Sequence, residues 1–338
     1  MAKYEKILGC LLGAAVGDAM GAATETRSAE QIKEKFGGYV TGFIEPPDDV
    51  FARGLPAGSV TDDFSLAYYT AMSIIAHKGR VNESTAKDAL LSWSSSKWFS
   101  FAGPTTSKAV NKLKGIESEP GPYSFLSYDS SKGSNGSAMK ICPVGILSNG
   151  NISKAIKDAI TICLPTHDNN TSLAGACAVA AAISCAMHDN PTVDNIIEAG
   201  LQGAQAGDAY GKKFAKEIAN PSVYKRMELA VKIGKENSKD MPKAMQELAD
   251  IIGTGLSAAE AVPCAFGIFA AANGDVMKSI VAGVNIGGDT DTIATIVGAI
   301  AGAYCSFYNF DYLRKISNVN GLNLEYTAKK LEEVIDIE

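Results

Sequence analysis

Apolar residues recur at helical spacing along almost the whole chain, and strict apolar–polar alternation is nearly missing. The first long run, from Ile7 to Met20, carries Gly9, Gly13, Gly17 and Gly21 at every fourth position, so one face of that helix has no side chains. Each glycine costs about 1 kcal/mol in a helix interior, which predicts close helix–helix packing to compensate. Further helices are predicted over residues 28–36, 62–77, 84–95, 104–114, 138–147, 153–164, 170–188 and 192–205. The series continues with 210–218, 222–235, 241–251, 257–272, 276–284, 290–308 and 324–335. Ser153, Thr192 and Ser257 read as N-caps and Gly79 as a closing residue. Residues 39–44 are the best short strand. The Pro- and Gly-rich stretches 45–58 and 115–136 read as long surface loops, where function often sits. No repeat and no linker composition divides the chain. The pattern predicts one all-α domain over residues 1–338.

Composition narrows the function. With 338 residues, 46% of them hydrophobic, the chain can bury a large core. A net charge of −6 without a dense basic block argues against an electrostatic grip on nucleic acid. The seven cysteines are scattered singly through apolar stretches, which suits buried free thiols in a reducing cytoplasm. Three histidines are too few for a His-rich metal site. Lys3 and Lys6 ahead of an apolar run faintly resemble a signal peptide, and Ile7-Leu8-Gly9-Cys10 a lipidation box. Asp18 interrupts the run before any cleavage site, and the apolar run 174–186, read as the candidate membrane span, is too short. The expectation is a soluble cytoplasmic protein, monomeric by default.

Two short acidic phrases then stand out: Thr61-Asp62-Asp63, and Asn285-Ile286-Gly287-Gly288-Asp289-Thr290-Asp291-Thr292. Each opens an apolar helical run. N-capping explains one such residue, and an Asp pair at a helix start also suits the dipole. Two aspartates alternating with two threonines behind Gly-Gly call for more, because packed acids repel unless a cation neutralises them. Clustered hard oxygen donors suit Mg²⁺, Mn²⁺ or Ca²⁺. The glycines would let the backbone bend close to whatever sits there. Asp18 and Glu25, at the end of the first helix, are further carboxylates of interest. Taken alone, Thr61-Asp62-Asp63 is either a helix start or half of a metal site. By the same standard Glu25 is either a solvated residue or a catalytic one, Gly133–Ser137 a turn or an anion cradle, and His167 a loop histidine or a pocket residue.

Together with Gly9–Gly21, Gly103-Pro104-Thr105-Thr106, Gly133-Ser134-Asn135-Gly136-Ser137-Ala138-Met139-Lys140 and Thr166-His167, the two phrases resemble the ADP-ribosylglycohydrolase family. The matches follow family order from about residue 6 to about residue 308. The resemblance implies an all-helical fold with two Mg²⁺ ions in a central cleft, Mn²⁺ being a possible substitute. Thr61, Asp62 and Asp63 match one ligand group. Asp289, Asp291 and Thr292 match the other, with Asp291 bridging both ions. Glu25 matches a glutamate implicated in substrate handling or acid–base work, while Ser134, Asn135, Gly136, Ser137, Met139 and His167 match the ADP-ribose pocket.

The implied reaction is hydrolysis of an N- or O-ribosyl bond on a protein or a small molecule, through an oxocarbenium-like transition state. Paired ions would fix the ribose hydroxyls and lower the pKa of a water, whose proton Glu25, Asp62 or Asp63 would take. Backbone N–H groups of the Gly133–Ser137 loop would cradle the pyrophosphate. Three positions depart from the family pattern: Phe64 in place of a small hydroxyl residue, Lys140 in place of arginine, and Asp168-Asn169-Asn170 after His167. A carboxylate at Asp168 would repel a pyrophosphate. This motivates a second reading, a hydrolase of a smaller N-ribosylated metabolite or nucleoside. A third is a non-catalytic ADP-ribose-binding or crystallin-like relative.

Overall fold

In the computed structural model, which describes residues 3–117, 126 and 128–335, the glycine stripe meets its partner at the far end of the chain. A Cβ on Gly9, Gly13 or Gly17 would fall 2.4, 2.1 or 2.2 Å from the carbonyl oxygens of Gly302, Gly298 and Ala294. Gly298 and Gly302 face Gly13 and Gly9 in return. Helices Lys3–Gly21 and Thr290–Cys305 therefore touch backbone to backbone, and both are buried for most of their length. Two further pairs use the same device. Gly203, Gly207 and Gly211 of helix Val193–Phe214 press on helix Asn170–Ala186, and Gly234 of helix Val223–Glu236 presses on Gly267 of helix Ala258–Ala271. Around these pairs runs one hydrophobic cluster drawing on residues from Ile7 to Ile335.

The described residues form sixteen α-helices with short 3-10 and π turns and no strand, so the all-α class holds. Several local expectations fail for identifiable reasons. Residues 39–44 form no strand; the Asn285 side chain pairs with Val40 instead, accepting from its N–H and donating to its C=O, both at 2.8 Å. The helices predicted at 192–205 and 210–218 are one helix, Val193–Phe214, because its glycines pack and do not break it. The helix predicted at 138–147 starts late, as Cys142–Ser148 with Pro143 in its first turn, and a 3-10 turn, Asn135–Ser137, precedes the segment. Helix Phe310–Asn320 was not expected. It buries only Leu313, Ile316 and Asn320, a stripe too thin to read. Asn151, not Ser153, caps the helix Ile152–Cys163, while Thr192 and Ser257 cap as expected. Part of the loop 115–136 lies outside the described residues.

Candidate metal centre

Asp18 is the residue that fastens the first acidic phrase. Fully buried in helix Lys3–Gly21, it accepts hydrogen bonds from the backbone N–H of Thr61 (2.9 Å) and Phe64 (2.9 Å) and from Thr61 Oγ1 (2.8 Å). It thus serves as a capping carboxylate from outside the helix Asp62–Ala76. On the other side Asn320 holds the approach to that helix, accepting from Val60 N–H at 3.0 Å and donating to Gly58 C=O at 2.9 Å. Phe64 sends its ring into the core, so it leaves the cleft to Asp62 and Asp63.

The second phrase is held by its glycines. Gly287 and Gly288 adopt φ of +92° and +76°, values that L side chains rarely take, and a Cβ on Gly288 would meet Thr254 at 2.4 Å. What sits against them is backbone. Gly288 N–H donates to Arg27 C=O at 2.8 Å, Thr26 N–H donates to Gly288 C=O at 2.8 Å, and Asp289 N–H donates to Thr254 C=O at 2.8 Å. Thr26 is itself left-handed, at φ +68°, a strain of roughly 1–2 kcal/mol that brings Glu25 beside the Gly-Gly turn. Thr290 faces away from the cluster: its hydroxyl donates to Gly21 C=O at 3.0 Å and accepts from Thr24 Oγ1 at 3.0 Å, which locks the two central helices together.

These supports bring the acids of both phrases together. Carboxylate oxygens of Glu25, Asp289 and Asp291 lie within 4.8 Å of one another, and all three residues are buried. Burial, then the charges of Asp291, Asp289, Asp62 and Asp18, push Glu25 up to about 10. Asp18 rises to about 7, through burial and Asp291, against the three hydrogen bonds that lower it. Asp62, Asp63 and Asp289 are raised by burial first and by Asp291 second. The neighbouring Asp291 raises Asp289 further, against the side-chain amide of Asn135, which donates to Asp289 Oδ2 and lowers it.

The donor set fits a hard divalent cation. All its donors are oxygen, like charge crowds them, and Asp63 Oδ1 is buried without a hydrogen-bond partner. A buried carboxylate oxygen with no hydrogen-bond partner is a donor that a hard cation would satisfy. Asp18 was not legible as a part of this cluster beyond its nearness to the first helix end, whereas Glu25, expected as an acid–base candidate, lies within 4.8 Å of Asp289 and Asp291.

The predicted pocket residues form a separate, neutral wall. The Asn135 side-chain amide donates to Asp289 Oδ2, joining the two walls, and its backbone N–H is committed to Leu256 C=O at 2.9 Å. Ser137 Oγ donates to Ser172 C=O at 2.8 Å, which anchors the loop and takes that hydroxyl away from a ligand. Gly136 lies against the His167 ring, where a Cβ would approach to 3.1 Å. Met139 is buried. His167 is 1% exposed and spans Ser134 Oγ (3.0 Å from Nε2) and Thr166 Oγ1 (2.8 Å from Nδ1). Burial and the nearby Lys140 lower it to about 3, so it is neutral at ordinary pH. Lys140 Nζ donates to Thr166 Oγ1 at 2.8 Å. Asp168 turns to Lys216 at 2.7 Å, with both side chains about half exposed.

The fold is all-helical and holds a buried all-oxygen acidic cluster able to take a hard cation, and comparison with known proteins gives the family. The chain belongs to the ADP-ribosylglycohydrolase family, whose model matches residues 1–335. It is 31% identical over 307 residues to the protein YegU of Escherichia coli, covering 89% of this chain and 88% of that one. Against the ADP-ribosylhydrolase ARH3 of Gallus gallus it is 27% identical over 327 residues, covering 88% and 84%. A solved ADP-ribosylglycohydrolase-related protein complex superposes with a TM-score of 0.65 at 22% identity over 97% of both chains, which establishes the shared fold. Family and relatives together make this chain a glycosyl hydrolase of ADP-ribose bonds. No helix among the described residues is long and apolar enough to cross a membrane.

Proposed function

We propose that this enzyme removes ADP-ribose from an N- or O-linked protein side chain or small molecule, using two Mg²⁺ ions for which Mn²⁺ can substitute. Thr61, Asp62 and Asp63 would hold one side of the ion pair and Asp289, Asp291 and Thr292 the other. The observation that carries this reading is the orphaned, buried Asp63 Oδ1 within a crowd of raised carboxylates. When bound, the ions supply charge neutralisation, orientation of the ribose hydroxyls and acidification of water.

The chain supplies the rest. Glu25, Asp62 and Asp63 offer the base that takes a proton from the attacking water; Glu25 and Asp63 are buried and Asp62 is half-buried, which limits access of bulk solvent to the anomeric carbon. Asn135, tied to Asp289, orients the wall formed by Ser134, Gly136, Ser137, Met139 and His167 against the nucleotide. Asp168 favours ADP-ribose over a smaller ribosyl compound as substrate: its ion pair with Lys216 neutralises the charge expected to repel a diphosphate. We read residues 1–338 as one domain, acting as a monomer in the cytoplasm. The test is release of free ADP-ribose from ADP-ribosylated protein or small molecules. Turnover should vanish with EDTA, return with Mg²⁺ or Mn²⁺, and vanish in Asp291→Asn; retained turnover in that variant defeats the mechanism. A thermal shift with ribose but none with millimolar ADP-ribose would favour the smaller substrate.

A further inference from the structure

Behind the neutral wall lies a chain of polar groups that ends on a buried cation. Lys140 is 1% exposed, and its ammonium donates to Thr166 Oγ1 at 2.8 Å. The titratable neighbours that bear on it are Cys163 and His167. Thr166 Oγ1 lies 2.8 Å from His167 Nδ1 and 3.2 Å from Cys163 C=O. His167 Nε2 lies 3.0 Å from Ser134 Oγ, and Ser134, half-buried, is the residue before the Asn135 that binds Asp289.

A neutral imidazole has one N–H, and the partner of one nitrogen decides the role of the other. An ammonium can only donate, so the Thr166 oxygen must accept from Lys140. That contact polarises the Thr166 hydroxyl and makes it a stronger donor. Of its two acceptors, Cys163 C=O lies at 3.2 Å and already accepts the backbone N–H groups of Thr166 (3.0 Å) and His167 (2.8 Å), whereas His167 Nδ1 is nearer, at 2.8 Å. The Thr166 hydrogen therefore goes to Nδ1, and the ring proton sits on Nε2, pointed at Ser134. With the opposite tautomer, Ser134 would donate inward to the ring and turn only lone pairs to the cleft.

We propose that Lys140 is a positioning residue that fixes His167 as the Nε2–H tautomer through Thr166, which leaves the Ser134 hydroxyl hydrogen free to donate to an acceptor oxygen of the bound substrate. The tautomer stands independently of the catalytic reading, whereas the substrate contact rests on it. Lys140 thus acts without touching the substrate, and an arginine there would do the same work if its guanidinium reached Thr166.

The chain has three histidines, so long-range proton–nitrogen spectra of protein labelled at histidine nitrogen resolve His167 once His77→Ala and His188→Ala assign the other two. The expected spectrum shows an unprotonated Nδ1 and a protonated Nε2. Lys140→Met should raise the Nδ1–H population about tenfold, the effect of losing one charge-assisted hydrogen bond, with Lys140→Arg restoring the original pattern. Ser134→Ala should leave the tautomer as it was, because the other end of the chain sets it. Should Lys140→Met fail to fold, Thr166→Val is read against Thr166→Ser, and only the first should disturb the ring. A protonated Nδ1 in the unaltered protein, or an unchanged ring in folded Lys140→Met or Thr166→Val, overturns the tautomer assignment. These spectra need no substrate, so they are informative even if ADP-ribose hydrolysis is not found. Where hydrolysis is found, Lys140→Met should raise KM about tenfold and change kcat little, as loss of a ground-state hydrogen bond does. An unchanged KM removes the substrate contact.

Discussion

The two walls of the cleft solve opposite problems. One crowds Asp18, Glu25, Asp62, Asp63, Asp289 and Asp291 together and leaves Asp63 Oδ1 without a partner. The other passes hydrogen bonds from Lys140 through Thr166 and His167 to Ser134, with every named group engaged. The acidic wall is held in shape from outside, by Asn320 and the turn at Gly287-Gly288, because its own side chains push apart. The neutral wall holds itself. A cluster of like charges is kept rigid by its surroundings, whereas a chain of mutually bonded polar groups is kept rigid by its own network.

The comparison breaks first at Asp291. Removing that carboxylate, Asp291→Asn, should lower kcat by about a thousandfold or more, on the scale of losing a metal's electrostatic stabilisation in a closed site. Isothermal titration should show the same variant losing cation affinity, while circular dichroism shows the fold intact.

Next in size is the external support. Gly13→Leu would drive a side chain into the backbone of Gly298 and should cost about 3 kcal/mol or more in urea unfolding, with activity lost in parallel. Gly37→Ala offers an open-space control, where only its positive φ is strained.

The third prediction concerns pH and sharpens the contrast between cation-loaded and cation-free protein. Asp18, near 3.8 when unfolded, is raised to about 7 in the fold, and Glu25 from 4.5 to about 10. The folded state thus binds more protons than the unfolded one between these values, and stability present below pH 4 is lost as pH rises. For Asp18 the loss runs from about pH 4 to 7, and for Glu25 it continues to about pH 10. The melting temperature of EDTA-treated protein should fall over this window, and the increment from added Mg²⁺ should grow. A flat profile without metal would mean that neither burial nor mutual repulsion raises these acids.

The smallest effect belongs to the pair Asp168–Lys216. Lys216→Ala should change stability by under about 1 kcal/mol, as exposed pairs do, but should raise KM for a diphosphate substrate severalfold by freeing the carboxylate.

Local chemistry was readable from the amino-acid sequence, and distant partnership was not. Asp62-Asp63 and Asp289-Thr290-Asp291-Thr292 announce themselves because each packs its oxygens into one helical turn. Asp18 was noticed, yet its task of capping a helix 43 residues later depends on the fold. Asp168 looked hostile to phosphate because Lys216, 48 residues on, could not be paired with it by inspection. The glycine stripe of the first helix predicts its close packing, whereas the pattern divides Val193–Phe214 at residues 206–209, although the same four-residue glycine spacing packs there against Leu173 and Cys177. Thin amphipathic stripes, such as that of Phe310–Asn320, carry too few apolar residues to register against the polar background.

The contact between Lys3–Gly21 and Thr290–Cys305 has a mechanical consequence. Gly21 rests on the backbone at Asp291, with a would-be Cβ only 2.4 Å from its Cα. The gauge between the first and last acids of the cleft is thus set by main-chain atoms, which cannot swing as side chains do. Warming loosens rotamers long before it parts two helices in such contact. The spacing of the acids should therefore outlast much of the surrounding packing, so that hydrogen exchange would find the amides of this helix pair among the last to open.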